Sequence, residues 1–148
     1  MKRCFSFLKE FINKERANQK LEGPIALFDE NVNIQVCDKK GIYFIVSRKH
    51  HFVYPNGNSP IIYIGKADNL KQRLMSHLRE AKKAQKEWKT KWVYSRYNYI
   101  AMEGGSDVYY LTTITNENAK SLESKAIEDF YNKFRALPVG NGAFSYRK

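Results

Sequence analysis

The 148-residue sequence predicts an α+β fold: a small three-stranded antiparallel sheet flanked by helices, with an N-terminal helix/strand extension over residues 1–40 and one main domain over 41–148. Three observations point there. Two runs of β-formers, about 41–48 and 61–65, are joined by a turn-rich connector, the pattern of an antiparallel hairpin with a long loop. A third run, "DVYYLTTI" at 107–114, is rich in β-branched and aromatic residues. Helical periodicities fall between and after these runs. The order β–β–α–(α)–β–α suits a sheet with helices packed on it. A chain this long buries about 70% of its unfolded surface, so its core needs neither a disulfide nor a metal.

Taken in order, Phe5, Leu8, Phe11 and Ile12 fall at helical spacing, and residues 1–22 read as a helix stopped by Gly23 and Pro24. Val32, Ile34 and Val36 alternate as on a short strand. Gly41 opens the first strand of the hairpin, and "KHHFVYPNGNSP" forms the connector around Pro-Asn-Gly. After the second strand, Asp68 or Asn69 suits a helix N-cap. The helix runs to about Trp88, with Leu70, Leu74, Leu78, Ala81 and Trp88 as its buried stripe. "VYSRYNYIAMEGG" is ambiguous and admits a short helix ended by Gly104 and Gly105. Asn116 caps a last helix of about 117–135, and "LPVGNGAFSYRK" closes the chain as a loop.

Twenty-six lysines and arginines against 15 acids give a net charge of +11, which calls for a polyanionic partner. Nucleic acid is the first candidate, an anionic membrane surface the second, and a solvated basic surface the plain alternative. No apolar run approaches the eighteen or so residues of a membrane span. The N-terminal "MKRCFSFLKEF" lacks a signal peptide's apolar stretch and cleavage site, which makes a cytoplasmic location the default. Cys4 and Cys37 are too few for a disulfide framework, and with His50 and His51 they do not take zinc-site spacing.

Two places carry residues that need explaining. Ala119, Leu122, Ala126, Ile127, Phe130 and Phe134 form the apolar stripe of the last helix, and Glu123 lies within roughly 20° of its centre. A carboxylate there faces the interior or a cleft and needs a cation. It is either a structural ion pair or a functional group. On the middle helix, Arg73 and His77 are four apart and so stack one above the other. Tyr63 and Lys66 flank Gly65 just before that helix, where glycine lets the backbone approach a ligand closely. A phenol, an ammonium, a guanidinium and an imidazole beside a helix N-terminus suit a phosphate. Singly, each is an ordinary packing or surface residue.

Gly41-Ile42-Tyr43 and Tyr63-Ile64-Gly65, in this order, resemble the two signatures of the GIY-YIG nuclease family. Lys66 follows the second signature, Arg73 and His77 fall on the next helix, Glu123 on the last helix, and Asn141 in the closing loop, with similar order and spacing in that family. The resemblance covers about residues 41–142. It implies a metal-dependent endonuclease acting on DNA, with the family's small three-stranded sheet. Glu123 would be the sole protein ligand of one Mg²⁺ or Mn²⁺. Tyr63 would orient or deprotonate the attacking water, with Tyr43 supporting that geometry. Arg73 would stabilise charge on the phosphate, and Lys66 would activate Tyr63 or contact the phosphate. His77 would assist proton transfer, and Asn141 would lock the last loop against the site. A phenol working as a base near neutrality needs roughly 4 kcal/mol of help, which nearby cations can supply.

The chain departs from the family pattern in its connector: nineteen residues separate Tyr43 from Tyr63, about twice the usual loop. The extra stretch "SRKHHFVYPNGNSP" carries Arg48, Lys49, His50 and His51 and is either a DNA contact or an idle surface loop. Lys82, Lys83, Lys86, Lys89 and Lys91 in "KKAQKEWKTK" are expected to bind the DNA backbone. The first 40 residues either cover the sheet or form a homodimer contact. Glu123-Ser124-Lys125 with Asp107 also has the E-x-K form of another nuclease fold, but that pair belongs on a strand and here falls in a helix. A non-catalytic nucleic-acid-binding module that retains the fold, and a subunit that binds protein through its N-terminal helix, are the other two functional classes.

Overall fold

In the computed structural model, residues 7–12, 21–28, 35–87, 96–113 and 115–141 are described, and every structural statement below concerns these. The sheet is built on β2 (Gly41–Ser47), which is buried at all of its positions. Its sequence, GIYFIVS, is apolar almost throughout because both its faces are covered. β5 (Ile61–Ala67) pairs with it on one side and β6 (Ser106–Thr112) on the other, both antiparallel.

The sheet has four strands rather than the three predicted: β1 (Glu22–Ala26) joins these three, in the order β1-β6-β2-β5. The extra strand, EGPIA, pairs with β6. Its glycine and proline signal the end of a helix and hide a strand. Pro24 is tolerated because β1 is an edge and because the pairing register shifts between Glu22 and Ile25. Of the helix predicted over 1–22, residues 7–12 are helical and Glu22 belongs to β1. The strand predicted at 32–36 falls mostly outside the described residues, and Gln35 and Val36 are not in a strand.

The connector is folded. β3 (Phe52–Tyr54) and β4 (Gly57–Ser59) form a two-stranded hairpin of their own about the Pro55-Asn56 turn. After β5, Asn69 caps the first long helix, α1 (Leu70–Glu87): its Oδ1 accepts the Gln72 N–H at 3.0 Å. The ambiguous segment contains a short helix, α2 (Arg96–Ile100), ended by a turn in which Gly104 and Gly105 take positive φ. The last helix is α3 (Asn116–Phe134), and its cap is Thr115, one residue earlier than predicted, accepting from the Asn118 N–H. Among the described residues no helix is long and apolar enough to cross a membrane.

Two cores result, one on each face of the sheet. On one face, α3 and residues 7–12 pack Leu122, Ala126, Phe130, Phe7, Leu8 and Phe11 against Ile42, Phe44 and Ile64. Residues 7–12 of the extension therefore cover the sheet. On the other face, α1 and α2 pack Leu70, Leu74, Leu78, Ala81 and Ile100 against Ile45, Ile62, Tyr43 and Tyr63. The register between β2 and β5 shifts so that Ile45 faces Tyr63 but Val46 faces Ile61. The extra residue lets Ile62 and Tyr63 both enter the α1 face while Ile61 stays on the α3 face.

Candidate active site

The centre of the site is Tyr43, in the middle of β2 and fully buried under α1. Its hydroxyl lies 2.6 Å from His77 Nε2, and Arg73 Nε donates to it at 3.4 Å. Arg73 and His77 share one face of α1, as their spacing requires. His77 Nδ1 lies 3.2 Å from the Tyr97 hydroxyl on α2. The ring of Tyr63 is 5.9 Å from that of Tyr43 and 5.6 Å from that of His77. The guanidinium of the buried Arg96 sits over the Tyr63 ring, 4.2 Å from its centroid.

Glycines make this crowding possible. A Cβ on Gly65 would stand 2.6 Å from the Tyr43 hydroxyl, and one on Gly41 would collide with the Leu111 carbonyl of β6.

Burial sets the protonation states. It pushes the Tyr43 phenol well above its ordinary range, with Tyr63 adding to the rise and Arg73 and Arg96 opposing it. His77 is pushed down to about 3, first by burial and then by the charges of Arg73 and Arg96. Arg73 is held more firmly protonated, chiefly by its hydrogen bond to Tyr43. Around neutrality the centre therefore holds a neutral phenol and a neutral imidazole between two guanidiniums. His77 can pass a proton along a hydrogen-bonded chain but does not start as an imidazolium acid.

The edge of β5 is closed beside Tyr63. Gly140 N–H donates to the Ile62 carbonyl at 2.7 Å. Asn141 Oδ1 accepts the Ile64 N–H at 3.0 Å, and its Nδ2 donates to the Ile64 carbonyl at 2.9 Å. One side chain thus copies a strand's pairing on an otherwise open edge.

A UvrC-like GIY-YIG domain matches residues 39–135, more than half of the chain. The chain belongs to the GIY-YIG family. Neither the curated proteins nor the solved structures contain a match. A GIY-YIG domain carries a nuclease-type function at the level of the family.

Within this GIY-YIG domain, Tyr43, Tyr63, Arg73 and His77 come together as one cluster. Lys66 is exposed and lines an open groove with Asp68, Asn69, Gln72, Arg73 and Ser76. Glu123 is half-buried on α3, which packs on the face of the sheet opposite the Tyr63 and Arg73 cluster. Glu123 and Lys125 lie on a helix, so the strand-borne E-x-K arrangement does not occur, and Asp107 is taken up by Arg48 at 3.5 Å.

The residues proposed to bind nucleic acid divide. Arg48 pairs with Asp107, Lys49 with Glu103 at 3.0 Å, and Lys83 with Glu80 at 3.4 Å. His51, Lys82 and Lys86 are exposed, and His50 is half-buried with its N–H on Ser47 Oγ. Arg48 and Lys82 line one groove with Phe28, Gln85, Gly104 and Gly105. Lys89 and Lys91 lie outside the described residues. Sequence reasoning did not single out Arg96 or Tyr97. Their signal was an arginine beside tyrosines ahead of a glycine pair, too common a pattern to point to a site.

Proposed function

We propose that this GIY-YIG domain is a metal-dependent DNA endonuclease that hydrolyses phosphodiester bonds. The observation that carries the proposal is the single cluster of two phenols, an imidazole and two guanidiniums on β2, β5, α1 and α2 of a GIY-YIG chain. Tyr63, the less enclosed of the two phenols, orients the attacking water or, as its phenolate, accepts the water's proton. Tyr43, with its hydroxyl engaged by His77 and Arg73, holds that geometry. Arg73 and Lys66, on the rim of one groove, bind the phosphate and stabilise the charge that develops on it. Asn141 keeps the β5 edge and Tyr63 in place.

The donor set limits how a metal is held. Among the described residues no group of three or more His, Cys, Asp or Glu is placed to bind an ion. A Mg²⁺ or Mn²⁺ ion would be held by Glu123 as its one protein ligand, with water and phosphate oxygens in the remaining positions. When bound, the ion supplies Lewis acidity at the scissile phosphate.

Nicking of supercoiled DNA across a Mg²⁺ titration tests the proposal. The expected outcome is cleavage abolished by chelation and reduced at least about a hundredfold by Glu123→Ala, with DNA still bound. DNA binding without nicking under any divalent cation would instead make the protein a non-catalytic nucleic-acid-binding module.

A further inference from the structure

The hydrogen bonds around Tyr43 have a direction. Arg73 can only donate, so the phenol oxygen is the acceptor in that pair. The phenol proton then has His77 Nε2, 2.6 Å away, as its partner. A separation that short suits O–H donation, and leaving a buried hydroxyl proton unpaired is costly. Nε2 is therefore the acceptor nitrogen of a neutral ring, and the ring proton sits on Nδ1. Nδ1 faces the Tyr97 hydroxyl at 3.2 Å. Which nitrogen of a histidine carries the proton is set by the partner of the other nitrogen. By that rule the Tyr43 hydroxyl on Nε2 selects the Nδ1–H form, and the Tyr97 hydroxyl is the acceptor that holds it.

The adjacent residue acts on the other tyrosine. The guanidinium carbon of Arg96 lies over the Tyr63 ring, 4.2 Å from its centroid, and the side chain is buried. A planar cation on a ring face is attractive and restricts the ring's tilt. Tyr63 otherwise rests against Tyr43 and His77 on its inner side. Consecutive residues of α2 thus hold the two tyrosines of the GIY-YIG signatures, one directly and one through His77.

We propose that α2 forms a positioning wall of the site: Tyr97 holds the His77 ring in its Nδ1–H form and so keeps Nε2 aimed at the Tyr43 hydroxyl, while Arg96 clamps the Tyr63 ring. For its kinetic arm the proposal rests on the nuclease function above. Its spectroscopic arm needs neither DNA nor metal, so the two can fail separately.

The test uses the full chain, with nitrogen-15 spectra of the His77 ring and steady-state nicking. In the wild type the His77 ring is expected as the Nδ1–H form. Tyr97→Phe keeps the ring and its packing but removes the hydroxyl. It is expected to shift His77 toward a mixture of tautomers and to lower kcat about tenfold, with DNA affinity changed less than about twofold. Arg96→Gln is expected to lower kcat similarly, and Arg96→Lys to recover part of that loss by retaining the cation.

Three outcomes would overturn the proposal. They are a wild-type His77 protonated on Nε2, a Tyr97→Phe protein with unchanged tautomer, and an Arg96→Gln effect lying wholly in DNA affinity. The last would make Arg96 a phosphate contact instead. If the wild type nicks nothing, the nuclease function fails and the tautomer alone decides the role of Tyr97.

Discussion

A methyl group on Gly65 would meet the Tyr43 hydroxyl and Tyr63 Cε2, each at 2.6 Å. Neither ring has room to retreat, because Tyr43 is fully buried and tied to His77 and Arg73. Gly65→Ala is therefore expected to cost about 1–3 kcal/mol by overpacking. Nicking should fall further than stability does, and chemical denaturation beside a nicking assay checks both. His77 makes a second prediction at this scale. An unfolded chain takes a proton on this residue near pH 6.5, whereas the folded protein excludes it until about pH 3. Between those values the unfolded state binds more protons, so stability falls as pH falls through the window and this contribution is level above it. Denaturation midpoints from pH 7.5 down to 5 should decline, and His77→Gln should flatten the decline. A slope equal in both proteins would assign the dependence to other groups.

Among the elements, the hairpin β3–β4 belongs to the α3 end of the molecule. Asn56 donates through Nδ2 to the Lys133 carbonyl at 2.9 Å and through its N–H to the Phe134 carbonyl at 3.2 Å. These satisfy carbonyls at the C-terminus of α3 that the helix cannot bond itself. Tyr54 meets Phe130 edge to face, and its hydroxyl accepts the Val139 N–H at 3.1 Å. The long connector is thus a clasp that ties α3 to the loop bearing Gly140 and Asn141. That loop in turn pairs with β5 on either side of Tyr63. Asn141→Ala removes two hydrogen bonds to Ile64 and is expected to destabilise by about 1–3 kcal/mol. Amide exchange at Ile64 should quicken more than at β2, which local hydrogen-exchange measurements would show. Equal protection in both strands would mean that the edge closes without this side chain.

For the whole molecule, the charge of +11 is not spread evenly over usable cations. Arg48, Lys49 and Lys83 already face acids, while Lys82 and Lys86 are exposed on α1. A cation already paired releases fewer counterions when a phosphate replaces its partner. If DNA is the partner, replacing Lys82 and Lys86 by alanine should reduce the slope of log affinity against log salt by about 2. Lys49→Ala should change it much less. Fluorescence anisotropy over a salt series gives the slopes, and an equal effect of both changes would exclude this division of charge.

The GIY and YIG tripeptides, the helix borne by Leu70, Leu74 and Leu78, and the β-formers of 107–114 were legible because each is a local pattern. Their side chains repeat at the period of the element they form, and the tyrosines lie on one face by that same period. β1 was not legible, since EGPIA becomes a strand only when β6 offers it an edge. Nor was the register shift at Val46 that puts Ile62 beside Tyr63 on the α1 face. Arg96 and Tyr97 acquire a place only when α2 is laid over Tyr63 and His77, residues distant in sequence. The sequence by itself determined which chemical groups are present and on which element each rides. Tertiary structure alone decided which of them meet, because burial, desolvation and hydrogen-bond direction depend on neighbours the chain brings from afar.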